Sequence, residues 1–178
     1  LVASGSLPPG VPVDFYARVA RFTKGAGCRL IVDTSGDELC AAAEAGVYLL
    51  KPNMRELGQL AGHPIEGEGE EVNAAREIVH RGQAQAIVVS LGAAGAVLIS
   101  EGETTHLRAP TVQIRSKIGA GDAFVGSLTL SLARGAGFDV ALQWGVAAAT
   151  ATMSTEGTGL CALPDVEALL PLCEVQSF

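Results

Sequence analysis

Aromatic residues make up only 4% of this chain, and its 12 Lys and Arg are outnumbered by 19 Asp and Glu. The formal charge of -7 argues against nucleic acid or an anionic membrane as the main partner. It does not exclude a small phosphorylated ligand, which local donors hold whatever the global charge. No stretch reaches the run of about eighteen apolar residues that a transmembrane helix needs. The opening LVASGSLPPG has no basic n-region and no long apolar h-region, so it does not read as a signal peptide. Four cysteines, at 28, 40, 161 and 173, form no C-x-x-C, and the histidines at 63, 80 and 106 stand in no metal spacing with them. Buried, reduced thiols in a cytoplasmic protein are the expectation.

What is present is a chain of 178 residues with 48% hydrophobic and 17% charged side chains. That excludes a disordered chain, and the length fits one domain with a sizeable core. Strands are expected at 1–3, 30–33, 47–50, 86–90, 96–100 and 111–114. Helical patterns fall between and after them, near 12–26, 36–45, 54–62, 71–82, 120–134, 138–153 and 164–173. Runs such as RLIVDT and AIVVSLG are apolar throughout, as in strands covered on both faces. Such alternation predicts an α/β layered fold with a largely parallel sheet and helices on both faces. Only LGAAGA separates the strands at 86–90 and 96–100, which is too short for a helix, so a hairpin is expected there. EGEGEE at 66–71 reads as a solvated acidic turn before a helix. The chain opens at Leu1 inside an apparent strand, so we expect that it begins partway through a larger protein.

In such sheets ligands bind outside the carboxyl ends of the strands. The segments SGSLPPG, DTSGDE, KPNMRE and SLGAAG all fall at strand ends and are expected to converge. KIGAGDAFVGSLTL, at 117–130, runs from glycines into a helical pattern with Phe124, Val125, Leu128 and Leu132 on one face. Without a Cβ, Gly119 and Gly121 let the backbone approach a ligand, and free N–H groups at a helix start attract anions. A carboxylate at that position, Asp122, suits a base that takes the proton from a group attacking a bound phosphate. The competing reading is that Asp122 only offsets the helix dipole. The glycines form neither a Walker A loop nor a dinucleotide fingerprint, and a Rossmann-type dehydrogenase would need a glycine-rich turn after the first strand.

Asn53 and Glu56 in KPNMREL have two readings as well. N-x-x-E is a helix-capping pattern, and the same pair supplies hard oxygen donors suited to Mg²⁺ and its waters. Lys51 just before them can reach phosphate as a point charge. In VSLGAAGAVL, residues Ser90, Gly92 and Gly95 either bring backbone amides to a nucleotide or simply build the hairpin turn.

Taken in order, SGSLPPGVP, VDTSGDEL, KPNMREL, VSLGAAGA, IGAGDAFVG and GVAAATA…GTGLC resemble the PfkB (ribokinase-like) family of carbohydrate kinases. Within that family they are most similar to the minor ATP-dependent 6-phosphofructokinases. The resemblance implies a ribokinase-like layered fold, here lacking its N-terminal part and lid. Residues 1–178 then form the C-terminal nucleotide-binding and catalytic portion of one kinase domain. It implies that Asp122 is the catalytic base and that Gly119, Ala120 and Gly121 form the anion hole. It places Lys51, Asn53, Ser90, Gly92 and Gly95 at ATP, Asn53 and Glu56 at Mg²⁺ through water, and Ser6 at the sugar phosphate. The backbone around Ser116, Ile118, Thr155 and Gly157 is similar to loops that hold a monovalent cation, which makes K⁺ a further cofactor. Two residues depart from the family pattern: Lys117 stands where a small hydroxyl or β-branched residue is usual, and Ser127 replaces Ala or Gly. The implied reaction is ATP-dependent phosphorylation of fructose 6-phosphate in the cytoplasm, by a homodimer when complete. Tagatose 6-phosphate or fructose 1-phosphate as substrate, or a truncated nucleotide-binding module without catalysis, are the alternatives.

Overall fold

Ile87, Val88 and Val89 follow one another along a strand, and none is exposed to solvent. Successive strand residues point to opposite faces, so both faces of this strand are covered. The computed structural model describes residues 1–67 and 69–176. Glu68, inside the acidic turn expected at 66–71, lies outside the described residues. The chain divides into two compact units: Leu1–Ser90 with Val97–Thr104, and Leu91–Ala96 with the chain from Thr105 on.

In the first unit, β1 (Val2–Ser4), β2 (Ile31–Asp33), β3 (Val47–Leu50) and β4 (Ala84–Ser90) lie side by side in chain order. Each pairs in parallel with the next, for example Ala3 with Val32, Ile31 with Leu49 and Leu49 with Ala86. Parallel neighbours need crossovers, and helices supply them. These are α1 (Phe15–Gly25), α2 (Gly36–Ala45), then α3 (Met54–Ala61) and α4 (Glu70–His80). Leu39, Leu57 and Ile78 face inward from α2, α3 and α4 and are fully buried beside Leu49, Leu50 and Ile87. Because all four strands run the same way, their carboxyl ends share one edge, as the sequence segments required. Next to β4 lies β5 (Ala96–Ser100). The connection at 91–95 holds a 3₁₀ turn over Gly92–Ala94 and is far too short for a parallel crossover, so the expected hairpin forms.

The second unit takes in β6 (Thr104–Arg108) from Thr105 on and the helices α5 (Ala120–Ala133), α6 (Phe138–Met153) and α7 (Leu163–Leu169), followed by β7 (Glu174–Gln176). α5 and α6 pack along their length, with Phe124 and Leu128 of one and Leu142, Val146 and Ala147 of the other buried. Gly145 permits this contact, since a Cβ there would come within 3.0 Å of the Phe124 ring. Two expectations fail in this unit. The strand expected at 111–114 is absent; this segment follows Pro110 and leads into Arg115 and Ser116, whose N–H groups both bond the Met153 carbonyl. The ladder forms instead at β6, which pairs antiparallel with β7 through Leu107 and Val175. The helix expected over 164–173 ends at Leu169, and the chain continues as a 3₁₀ turn carrying Pro171, which cannot extend a helix.

The cysteines correct another expectation. All four are free thiols, but only Cys173 is buried; Cys28 is exposed, and Cys40 and Cys161 are intermediate. Among the described residues no helix is long and apolar enough to cross a membrane, and no cluster of three metal-ligating side chains occurs.

Candidate active site

The carboxyl edge of the first unit is built from short, well-bonded turns. After β1, Gly5 takes a positive φ of 94°, which glycine adopts without a Cβ clash. Its N–H donates to the Asp33 carbonyl at 2.9 Å, and its own carbonyl accepts from the Tyr16 and Thr34 hydroxyls, each at 2.9 Å. Ser6, next in the chain, is exposed on this fixed turn. One strand further, Asp33 at the end of β2 meets Lys51 at the end of β3, with 3.1 Å from the ammonium to Oδ1. Their side chains are only 17% and 10% exposed. An ammonium withdrawn from water to that degree needs a charged partner, and Asp33 provides it. Sequence reasoning nominated Lys51 but passed over Asp33; VDTSGDE at a strand end was the available signal.

Asn53 caps α3. Its Oδ1 accepts from the Glu56 N–H at 3.0 Å, while Glu56 Oε2 accepts from the Asn53 N–H at 2.9 Å. The capping reading of N-x-x-E is therefore realised in full. The box uses one Glu56 oxygen, which leaves Oε1 as a hard donor of the kind that suits Mg²⁺ or its waters. Ser90 lies beside this cap: it bridges in parallel to Asn53, and its N–H donates to the Pro52 carbonyl at 2.9 Å. Lys51, Asn53, Glu56 and Ser90 are thus gathered on two adjacent strand ends, with Ser6 on the same edge two strands from Lys51.

In the second unit the sequence nominated two glycines of the hairpin turn, and they differ. Gly92 (φ 63°) is exposed with open space where a Cβ would be, so its backbone is free to face a ligand. Gly95 (φ 108°) is buried, and a Cβ there would strike the Leu107 carbonyl and lie 2.8 Å from the Ala109 nitrogen. Gly95 is needed for packing against β6, which favours the turn reading for that residue.

α5 starts from Gly119, which adopts the left-handed conformation (φ 78°, ψ -5°) at the N-cap. Ala120, Gly121 and Asp122 form its first turn, and the space above Gly121 is open to 4 Å. Asp122 is exposed and makes no side-chain cap. The loop before the helix is anchored on the end of α6. Arg115 and Ser116 donate their N–H groups to Met153, Ile118 N–H bonds Ser116 Oγ at 3.2 Å, and Arg115 pairs with Glu156 at 2.9 Å. On the facing loop, Thr155 Oγ1 lies 2.8 Å from the Thr152 carbonyl and 2.9 Å from that of Gly159, and Gly157 turns at φ 61°. The segments holding Ser116, Ile118, Thr155 and Gly157 are therefore brought together. Among the described residues the Ser116 and Ile118 carbonyls accept no backbone hydrogen bond, so neutral oxygen donors of the kind a monovalent cation takes are available. The pair Arg115–Glu156 was not visible in the sequence, because 41 positions separate its partners.

A cleft of about 790 Å³ in the first unit, between α2, α3 and the loop after it, contains none of these residues. Its walls include Cys40, whose thiol is pushed above its ordinary value by burial and then by Asp37 and Glu44. A thiol held neutral in this way is a poor nucleophile.

The model of the pfkB family carbohydrate kinases matches residues 1–166, and the chain belongs to this family. It is 41% identical over 172 residues to the ATP-dependent 6-phosphofructokinase isozyme 2 of Mycobacterium tuberculosis, covering 97% of this chain and 50% of that protein. Against the isozyme of the same name from Escherichia coli it is 39% identical over 168 residues, covering 94% and 54%. The crystal structure of phosphofructokinase-2 from Escherichia coli in complex with potassium superposes with a TM-score of 0.93 at 38% identity, over 96% of this chain and 56% of that one. The ribokinase-like layered fold expected from sequence is thereby established. The chain spans about half the length of the curated relatives it matches.

Proposed function

We propose that residues 1–178 act as the nucleotide-binding and catalytic portion of an ATP-dependent sugar-phosphate kinase. Its reaction is transfer of the γ-phosphoryl group to fructose 6-phosphate, giving fructose 1,6-bisphosphate. The observation that carries this reading is the start of α5: a left-handed glycine, open space over Gly121, and a carboxylate in the first turn. The backbone N–H groups of Gly119, Ala120 and Gly121 stabilise charge on the transferring group, and Asp122 takes the proton from the attacking hydroxyl. Lys51, Asn53, Ser90 and Gly92 contact the nucleotide, and Gly95 shapes the turn that presents Gly92. Asn53 and Glu56 hold Mg²⁺ through water, and when bound the ion screens the phosphate charge. Ser6 reads the sugar phosphate. The carbonyl loops around Ser116, Ile118, Thr155 and Gly157 hold K⁺. The complete protein works in the cytoplasm as a homodimer.

The test is calorimetric titration of Mg·ATP into the chain, followed by turnover assays on the complete open reading frame with fructose 6-phosphate, tagatose 6-phosphate and fructose 1-phosphate. Binding, with turnover highest on fructose 6-phosphate, supports the proposal in full. ATP binding without turnover on any sugar reduces it to a nucleotide-binding module, and no binding overturns it.

A further inference from the structure

Several cations of the chain are held by carboxylates, whereas one just ahead of α5 is not. Arg18 pairs with Asp14, Arg81 with Glu77, Lys51 with Asp33, and Arg115 with Glu156. Lys117 is exposed, and among the described residues its side chain forms no ion pair or hydrogen bond. Its position is nevertheless well defined. Ser116 on one side is bonded to Met153, and Ile118 on the other is bonded to Ser116 Oγ. The Lys117 carbonyl accepts the Ala120 N–H at 3.5 Å, so its backbone lies one turn from the first residue of α5. Glu156, the acid carried by the facing loop, is already occupied by Arg115. An unpaired ammonium thus stands beside the first turn of α5, in a chain whose net charge is -7.

We propose that Lys117 is a nucleotide-binding residue that pairs with the terminal phosphate of ATP. This rests on the kinase reading above and adds to it a specificity for the triphosphate. Two cooperating features produce the effect. The anchored loop removes most of the backbone entropy that a flexible lysine arm would lose on binding. The ammonium offsets the Asp122 carboxylate, which would otherwise repel the incoming phosphate across the first turn of α5. Lysine acts here as a point charge, so arginine is expected to substitute for it and a neutral side chain is not.

Titration of Mg·ATP and of AMP into the unsubstituted chain and into Lys117→Met, Lys117→Arg and Lys117→Thr tests this. Loss of one charge-assisted contact is expected to weaken ATP binding by Lys117→Met about tenfold. AMP affinity should be unchanged, and Lys117→Arg should stay within about twofold of the unsubstituted chain. Unchanged or tighter ATP binding by Lys117→Met, or an equal loss for AMP, overturns the inference. ATP binding by Lys117→Thr alone, with none by the unsubstituted chain, would show that the lysine crowds the nucleotide and overturns this inference while sparing the kinase reading. No binding by any of the four overturns both.

Discussion

At the scale of single residues, the candidate site separates groups fixed by the fold from groups left free. Glu56 is fixed, because half of its carboxylate closes the cap on α3. Asp122 is free, exposed in the first turn of α5 without a capping bond. The two residues therefore respond differently to the loss of charge. Asp122→Asn keeps the size and the helix and removes the proposed base, so turnover should fall about 10²- to 10⁴-fold while Mg·ATP affinity is retained. Near-normal turnover in a steady-state assay would return Asp122 to a dipole-offsetting role. Glu56→Gln keeps a capping side chain and loses only the negative charge, so stability should change by less than about 1 kcal/mol. The Mg²⁺ concentration for half-maximal ATP binding should rise; an unchanged dependence would leave Glu56 with its cap and nothing more. The N-x-x-E spacing offered both readings in the sequence and did not rank them, because capping and ion binding ask for the same oxygens at the same helix end. Lys51 was legible for its charge, but its partner was not. Pairing across β2 and β3 depends on strand order, which local sequence does not encode.

At the scale of elements, periodicity worked where the surroundings impose one pattern. The strands at 47–50 and 96–100 and the helices at 36–45 and 138–153 appear where their apolar spacing placed them. β6 was missed because TTHLR is largely polar and buries only Leu107, so its strand character comes from its partner β7. TVQI at 111–114 carries a strand's composition, but its neighbours spend their N–H groups on Met153. The hairpin turn offers a direct test of how an element is set by one residue. Gly95→Ala forces a Cβ against the Leu107 carbonyl at a φ that only glycine adopts readily, and we expect a loss of about 2–4 kcal/mol. Gly92→Ala meets open space at φ 63° and should cost only about 1 kcal/mol. Urea unfolding of the two variants measures the difference directly, and equal costs would mean that crowding against β6 contributes nothing.

At the scale of the whole molecule, the four thiols report on both units. Cys28 and Cys40 belong to the first, and Cys161 and Cys173 to the second. Burial pushes the Cys173 thiol up to about 11, from an ordinary value of 9.0. The folded state therefore favours the neutral form. The stability this provides is complete below pH 9.0 and is lost as the pH rises through about 11. Its size is on the order of 2 kcal/mol. Other groups titrate in the same window, so the effect is isolated by comparing the chain with Cys173→Ala. The stability difference between the two should shrink on going from pH 8 to about pH 11, and a constant difference would show that the native thiol ionises like an exposed one. In native buffer a thiol reagent should modify exposed Cys28 first and Cys173 last. Cys173 protection that disappears at a lower denaturant concentration than that of Cys40 would reveal that the second unit opens before the first.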